Sequence, residues 1–234
     1  MSASGGAGPE GPAPGAGPIE VVYYTDPLCC WSWALEPHWR RLLAEFGAAL
    51  EWRYRMAGMI ADWDSYSDPV NAVSRPLQMG PVWREAHEVT GVPLDDRIWA
   101  LDPPASSYPA CIAVKAAELQ SAEAADLYLG RLRAAVMAQR RNIARPEVLV
   151  EVADEAAAAA PGRLDPERLR HDLAGAAARD ALRDDIKEAR YRGIGRFPTL
   201  TLRAASGSGV MIVGYRPYEV LCAALARVAP ELRP

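Results

Sequence analysis

The chain has 234 residues, of which 50% are hydrophobic, so it is long enough to bury a full core in one domain. Its formal net charge of −4 argues against nucleic acid as the main partner, because binding to phosphates requires clustered cations. No apolar run approaches the roughly 20 residues needed to cross a bilayer, which argues against a membrane partner.

The first 18 residues are mostly Gly, Pro and Ala, with no basic start and no apolar segment of the secretory type. We interpret residues 1–18 as a disordered tail, followed by a single domain over residues 19–234. Without an export signal the expected compartment is the cytoplasm, where the four cysteines stay reduced unless they are catalytic.

The first predicted elements are a strand, a helix and a second strand. Ile19–Thr25 is rich in β-branched and aromatic residues, as expected for a buried central strand. Residues 33–46 have helical spacing, with Pro37 inside the helix and Gly47 as its C-cap. Leu50–Met56 alternates apolar and charged residues, which is typical of a strand with one covered face. This βαβ order predicts a right-handed crossover and two parallel strands.

Residues 59–164 form a predicted insertion of helices and loops. The composition favours helices over residues 110–120, 123–140 and 146–160. Pro-rich connections are predicted to carry three tryptophans, Trp63, Trp83 and Trp99. A further helix over residues 166–190, with Asp165 as its N-cap, is predicted to return the chain to the core.

The C-terminal part predicts a β-hairpin and a final helix. Thr199–Arg203 and residues 210–213 are the two strands, joined by a glycine-rich loop. Pro217 at the first helical position starts the last helix, Tyr218–Val228. The predicted fold class is therefore α/β, with a thioredoxin-like core (βαβ, then a β-hairpin and a helix) and a helical insertion.

The most informative motif is Cys29-Cys30-Trp31-Ser32, between the first strand and the first helix. The orphan N–H groups and the dipole at a helix N-terminus favour thiolate over thiol, so we predict that Cys29 is a nucleophile with a lowered pKa. A redox-active dithiol would carry a second cysteine at position 32, where this chain has serine. Ser32 either hydrogen-bonds the backbone or donates to the Cys29 thiolate.

The other cysteines and the histidines give weaker signals. Cys30 is interpreted as a neighbour that tunes access to Cys29 or as a second site of oxidation, and a strained disulfide between these adjacent cysteines is a minority alternative. Cys111 and Cys222 lie in apolar helical runs and are interpreted as small buried hydrophobes. The histidines show no metal-ligand spacing, so no metal site is predicted. Seven tryptophans leave room for an aromatic pocket between insertion and core.

Several segments resemble the DsbA-like branch of the thioredoxin-fold proteins. The run Asp26-Pro27-Leu28-Cys29 is similar to the active-site segment of cytosolic FrnE-type oxidoreductases and of the SpxH-type adaptors of ClpXP. Residues 195–200 resemble the cis-proline loop of that family, and residues 214–218 resemble the turn before its last helix. With residues 106–110 opening the insertion, the resemblance spans about residues 19–228.

The resemblance implies that Pro198 is cis and faces Cys29, and that Phe197 presents its backbone to a peptide or to glutathione, as in strand addition. The implied catalytic residues are Cys29 and Ser32. The implied substrate contacts are Cys30, Trp31, Phe197, Pro198 and Thr199.

The function implied by the resemblance is thiol-disulfide exchange through Cys29 alone, with the mixed disulfide released by an external thiol such as glutathione. One alternative is a kappa-class glutathione transferase or hydroxychromene carboxylate isomerase, whose members resemble this chain in having serine at the position of Ser32 but typically have serine in place of Cys29. The other is a non-catalytic, SpxH-type protein-binding adaptor. We expect no tightly bound cofactor. The expected partner is a thiol or disulfide, either a small molecule or a protein. A homodimer remains an alternative to a monomer.

Overall fold

A mixed four-stranded sheet forms the centre of the computed structural model, which describes residues 17–232. Its strands are β1 (Ile19–Thr25), β2 (Leu50–Met56), β3 (Thr199–Arg203) and β4 (Gly209–Val213). They lie in the order β2-β1-β3-β4, with β1 and β2 parallel and the other two pairs antiparallel. This confirms the predicted thioredoxin-like order. The predicted tail falls outside the described residues except at its last two positions.

Nine α-helices surround the sheet within the described residues. They are α1 (Cys30–Phe46), α2 (Met79–Thr90), α3 (Ile98–Leu101), α4 (Tyr108–Glu118), α5 (Ala122–Met137), α6 (Pro146–Ala159), α7 (Pro166–Ala174), α8 (Ala177–Tyr191) and α9 (Tyr218–Val228). Within this range, no helix combines the length and apolar character that a bilayer-spanning segment needs.

The first helix differs from its prediction at its start. It starts at Cys30, three residues earlier than predicted, and Pro37 lies inside it as expected. Its end agrees with the prediction, because Gly47 is the C-cap and its N–H bonds the carbonyl of Leu43. Gly47 keeps a right-handed φ of −55° and begins a short 3-10 turn.

The long helix predicted over residues 166–190 is two helices. Asp165 caps α7 as predicted, because its carboxylate accepts the backbone N–H groups of Glu167 and Arg168. Gly175 then takes an extended conformation with ψ of 170°, which ends α7. A second helix starts two residues later.

Two of the three tryptophans predicted in connections lie in helices instead. Trp83 belongs to α2 and Trp99 to the short α3, and both are fully buried. The start of α2 was not predicted because Gly80 and Pro81 disfavour a helix. Proline is nevertheless tolerated in the first turn, where a backbone N–H has no helical partner.

The sheet is covered on both faces. Val21 and Tyr23 of β1 belong to the main hydrophobic core, which is continuous with the helices of the insertion. Val22 and Tyr24 on the other face pack with Ala189 at the end of α8. This arrangement holds the C-terminal end of β1, and the segment that follows it, between the insertion and the hairpin.

Candidate active site

Cys29 lies at the N-cap of α1, as its position in the sequence predicts. Its backbone is extended, and its carbonyl accepts the N–H groups of Ser32 and Trp33, both at 3.1 Å. Its sulfur donates a hydrogen bond to the carbonyl of Phe197 at 3.5 Å. The Phe197–Pro198 peptide bond is cis, in agreement with the geometry that the resemblance implies. The helix start and the cis-proline loop therefore meet at the sulfur.

A cavity of about 910 Å³ opens above this sulfur. Its walls come from the start of α1, the loop after β2, α2, the end of α8, the cis-proline loop and the turn before α9. Four of the seven sequence-predicted site residues line it, namely Cys29, Cys30, Trp31 and Phe197. Ser32, Pro198 and Thr199 are buried beneath its surface.

Aromatic side chains form part of the cavity wall, as expected from the tryptophan content. The rings of Trp31 and Tyr215 lie 6.1 Å apart between centroids. His38 Nε2 lies 3.0 Å from the Tyr215 hydroxyl, which fixes the tyrosine ring against α1. Within the described range, no His, Cys, Asp and Glu side chains cluster as a metal site.

The predicted lowering of the Cys29 pKa is wrong. Burial raises the pKa of this thiol above its ordinary value, whereas the nearby Ser32 hydroxyl and backbone act in the opposite direction. Only 5% of Cys29 is exposed, and removing water disfavours the charged thiolate more than Ser32 and Arg133 favour it. The sulfur at rest is therefore a thiol.

Ser32 is fully buried, and its hydroxyl oxygen has no hydrogen-bond partner in this structure. The predicted backbone bond is thus not formed. The hydroxyl nevertheless lowers the pKa of Cys29, because it is close enough to donate to the charged sulfur. The donation therefore belongs to the thiolate state of Cys29.

The Cys30 side chain contacts α2. Its sulfur lies 4.0 Å from the carbonyl of Val82 in α2, and burial raises the pKa of its thiol well above the ordinary value. All four cysteines are free, so the Cys29–Cys30 disulfide is not formed in this structure.

Sequence reasoning missed Asp26 as a member of the site. This buried carboxylate accepts bonds from Leu28 N, Met59 N, the Ser107 hydroxyl and the Cys111 thiol, at 2.7–3.4 Å. Cys111 is therefore more than a small hydrophobe. Burial raises the pKa of Asp26, against the effect of these donors. The sequence signal was an acid directly between an apolar strand and the cysteine motif.

Arg133 of α5 was also missed. Its guanidinium is fully buried and donates to Glu36 of α1 at 2.6 Å and to the hydroxyl of Thr25 at the end of β1. A charged residue between apolar neighbours on a helix was the available signal. The side chain ties the insertion to both elements that flank Cys29, and its positive charge lowers the pKa of that thiol, although less than burial raises it.

The comparisons with known proteins agree with this fold. Residues 23–223 match the family model described as Thioredoxin. The chain belongs to the thioredoxin family. A putative protein disulfide isomerase from Nitrosomonas europaea superposes with a TM-score of 0.75 at 20% identity, over 92% of this chain and 99% of that one. The predicted resemblance to DsbA-like thioredoxin-fold proteins is confirmed.

Two further comparisons concern individual proteins. The structure titled cytosolic disulfide reductase DsbM from Pseudomonas aeruginosa with GSH has a TM-score of 0.60 and 25% identity, over 79% of this chain and 88% of that one. The ClpXP adapter protein SpxH of Halalkalibacterium halodurans is 29% identical over 87% of this chain. The chain spans about 65% of the length of that relative.

Proposed function

We propose that the chain is a thiol-disulfide oxidoreductase that reacts through Cys29 alone. The observation that carries the proposal is the position of the Cys29 sulfur, at a helix N-cap, 3.5 Å from the Phe197 carbonyl and at the surface of a 910 Å³ cavity. A disulfide that lies along the Phe197 backbone by strand addition would bring a sulfur atom to Cys29. The similarity to DsbM with GSH supports a small thiol as co-substrate.

The reaction consists of two thiol-disulfide exchanges. The Cys29 thiol loses its proton to solvent, and the thiolate attacks a disulfide R–S–S–R, forming Cys29–S–S–R and releasing R–S⁻. An external thiolate R′–S⁻ then attacks the substrate sulfur of the mixed disulfide, forming R–S–S–R′ and returning Cys29 as thiolate. One disulfide bond forms and one breaks in each step, so no further oxidant or reductant is needed.

Ser32 supports the charged forms of this cycle. Its buried hydroxyl has no partner in the thiol state, so a negative sulfur at Cys29 gains a hydrogen bond that the thiol lacks. The same donor favours Cys29 as leaving group in the second exchange, because a more stable thiolate leaves faster.

The curated relatives favour a second candidate function. Proteins named ClpXP adapter protein SpxH match 86–88% of the chain at 26–30% identity. An adaptor of this kind binds another protein, and its binding does not depend on turnover at Cys29. The two functions therefore predict different results for Cys29→Ser. An oxidoreductase loses its turnover, whereas an adaptor still binds its partner.

The deciding experiment compares the wild type with Cys29→Ser in the reduction of a small disulfide, at several concentrations of glutathione. We expect multiple turnovers whose rate rises with glutathione, and complete loss of turnover in Cys29→Ser. Cys222→Ser in α9 is the matched control and should turn over like the wild type. The oxidoreductase proposal fails if Cys29→Ser remains active or if the wild type forms no Cys29 adduct. Wild-type inactivity, combined with saturable binding of a purified protein partner that Cys29→Ser retains, supports the adaptor.

A further inference from the structure

Three arginines line the cavity close to the cis-proline loop. Arg190 lies in the last turn of α8, Arg196 precedes Phe197, and Arg216 lies in the turn before α9. All three are exposed, and none pairs with a carboxylate among residues 17–232. Guanidinium groups at a cavity wall without a protein anion are available to an anionic ligand.

The backbone of Arg196 is held one residue from the carbonyl that contacts the reactive sulfur. Its carbonyl accepts a hydrogen bond from the Thr199 hydroxyl at 2.7 Å, which fixes the backbone of the loop. The next residue is Phe197, whose carbonyl lies 3.5 Å from the Cys29 sulfur. A substrate disulfide would lie along the Phe197 backbone. Since consecutive Cα atoms are about 3.8 Å apart, the Arg196 side chain begins about that far from it.

Arg216 lies beside a residue that bonds the same loop. Its Nη1 donates to the carbonyl of Tyr215 at 2.8 Å and lies 3.7 Å from the position that a Cβ on Gly214 would occupy. Gly214 in turn donates to the Pro198 carbonyl at 2.7 Å. One bond orients the guanidinium, and its remaining N–H groups are free for a ligand.

The two acidic residues of the cavity lie in different elements from these arginines. Asp68 belongs to the loop after β2, and its carboxylate accepts bonds from Val70 and Asn71 of that loop. Glu85 lies on α2. Neither carboxylate forms a salt bridge with the three arginines, so the positive charge beside Cys29 is not neutralised by the cavity itself.

We infer that Arg190, Arg196 and Arg216 form a carboxylate-binding subsite, which selects small thiols and disulfides that carry carboxylates. The inference rests on the proposed function and names its substrate class. A volume of about 910 Å³ lies within the roughly 300–1,000 Å³ of small-molecule sites, which favours a small ligand over a folded protein. Arginine suits carboxylates because its planar fork can form two parallel hydrogen bonds.

The test measures single-turnover formation of the Cys29 adduct with three disulfide probes of different charge. The probes are 5,5′-dithiobis(2-nitrobenzoate), which carries two carboxylates, neutral 4,4′-dithiodipyridine and cationic cystamine. Each probe is compared between variant and wild type, so that its intrinsic reactivity cancels. We expect Arg196→Gln and Arg216→Gln each to slow the anionic probe by about threefold, as for a solvent-accessible ion pair. The neutral probe should change by less than about twofold, because it makes no ion pair with the lost charge.

The salt dependence and a control variant test whether the effect is electrostatic and specific to the cavity. Added salt should reduce the wild-type rate with the anionic probe and leave the neutral probe unchanged, because ions screen exposed charges. Arg227→Gln is the matched control, since Arg227 is exposed on α9 and does not line the cavity. It should leave all three rates unchanged. Peptide mapping confirms that the label is on Cys29.

The subsite is refuted if the arginine variants slow the neutral probe as much as the anionic probe, or if they slow neither. The first result would indicate a distorted loop, and the second would show that the charges do not act on the ligand. Because the measurement follows one attack by Cys29, charge selectivity is observed even if the protein has no multiple-turnover activity. Failure of the subsite and failure of the proposed function are thus separate outcomes.

Discussion

Replacing Arg133 tests whether the insertion holds the active-site helix in place. The guanidinium is fully buried and bonds Glu36 of α1 at 2.6 Å, and it also donates to Thr25 at the end of β1. Arg133→Met keeps much of the apolar stem and removes the charge and its donors. The substitution leaves a nearly buried Glu36 carboxylate with one cation fewer.

The expected loss in free energy of unfolding is about 2–3 kcal/mol. Removing one partner of a buried ion pair usually costs about 3–5 kcal/mol, because the other charge stays buried and unpaired. Two features reduce the cost here. Arg40 still pairs with Glu36 at 2.6 Å, and Arg133 Nε itself is buried without a partner in the wild type.

Urea denaturation of Arg133→Met measures this loss, with Arg131→Met as control because Arg131 is exposed on the same helix. The double variant Arg133→Met/Glu36→Gln should lose less than the sum of the single variants, since it leaves no unpaired charge. The pKa of Cys29 should rise further in Arg133→Met, which delays thiol alkylation to higher pH. A loss below about 1 kcal/mol, within the range of exposed pairs, would refute the reasoning.

Three further predictions concern the residues around the sulfur. The rate of Cys29 alkylation by iodoacetamide should keep rising as the pH increases past 9, because burial raises the pKa of the thiol above its ordinary value of 9.0; a plateau below pH 7 would contradict this. Ser32→Cys should shorten the lifetime of a Cys29 adduct, measured by mass spectrometry after removal of free thiol, because a second thiol then resolves it intramolecularly. The folded-state pKa of Asp26 is raised, so its contribution to stability is present at low pH and lost as the pH rises through that pKa. Asp26→Asn should remove this component from the pH profile of the unfolding free energy, and an unchanged profile would argue against it.

The strands were predictable because their side-chain patterns are local. The bounds of β1, β2 and β3 agree with their predictions, and β4 begins one residue earlier than predicted. Each combines a period-two or fully buried pattern with clear turn residues. The position of Cys29 at a helix N-cap was predictable for the same reason, since it depends only on the junction of a strand and a helix.

The electrostatics of the site was not predictable in this way. The helix N-terminus next to Cys29 is visible in the sequence, but the burial that outweighs it comes from segments far along the chain, including the cis-proline loop. Arg133 donates a hydrogen bond to Glu36, which lies 97 residues earlier in the chain. An individual arginine in an apolar helix signals a buried partner without identifying it.

The three remaining thiols are poorly placed to resolve an adduct on Cys29. The sulfur of Cys30 points to the Val82 carbonyl in α2, that of Cys111 donates to Asp26, and Cys222 lies on α9. Burial raises the pKa of both Cys30 and Cys111 well above the ordinary value, which further reduces their nucleophilicity.

In the proposed reaction, the thiol that releases the adduct therefore comes from outside, and the described part of the chain offers it the same cavity as the first substrate. The first leaving thiol has to depart before the second thiol can approach the mixed disulfide. We accordingly expect ping-pong kinetics, with parallel double-reciprocal lines when glutathione is varied at several disulfide concentrations. Intersecting lines would mean that both substrates bind together, and that the cavity holds a second thiol beside the first.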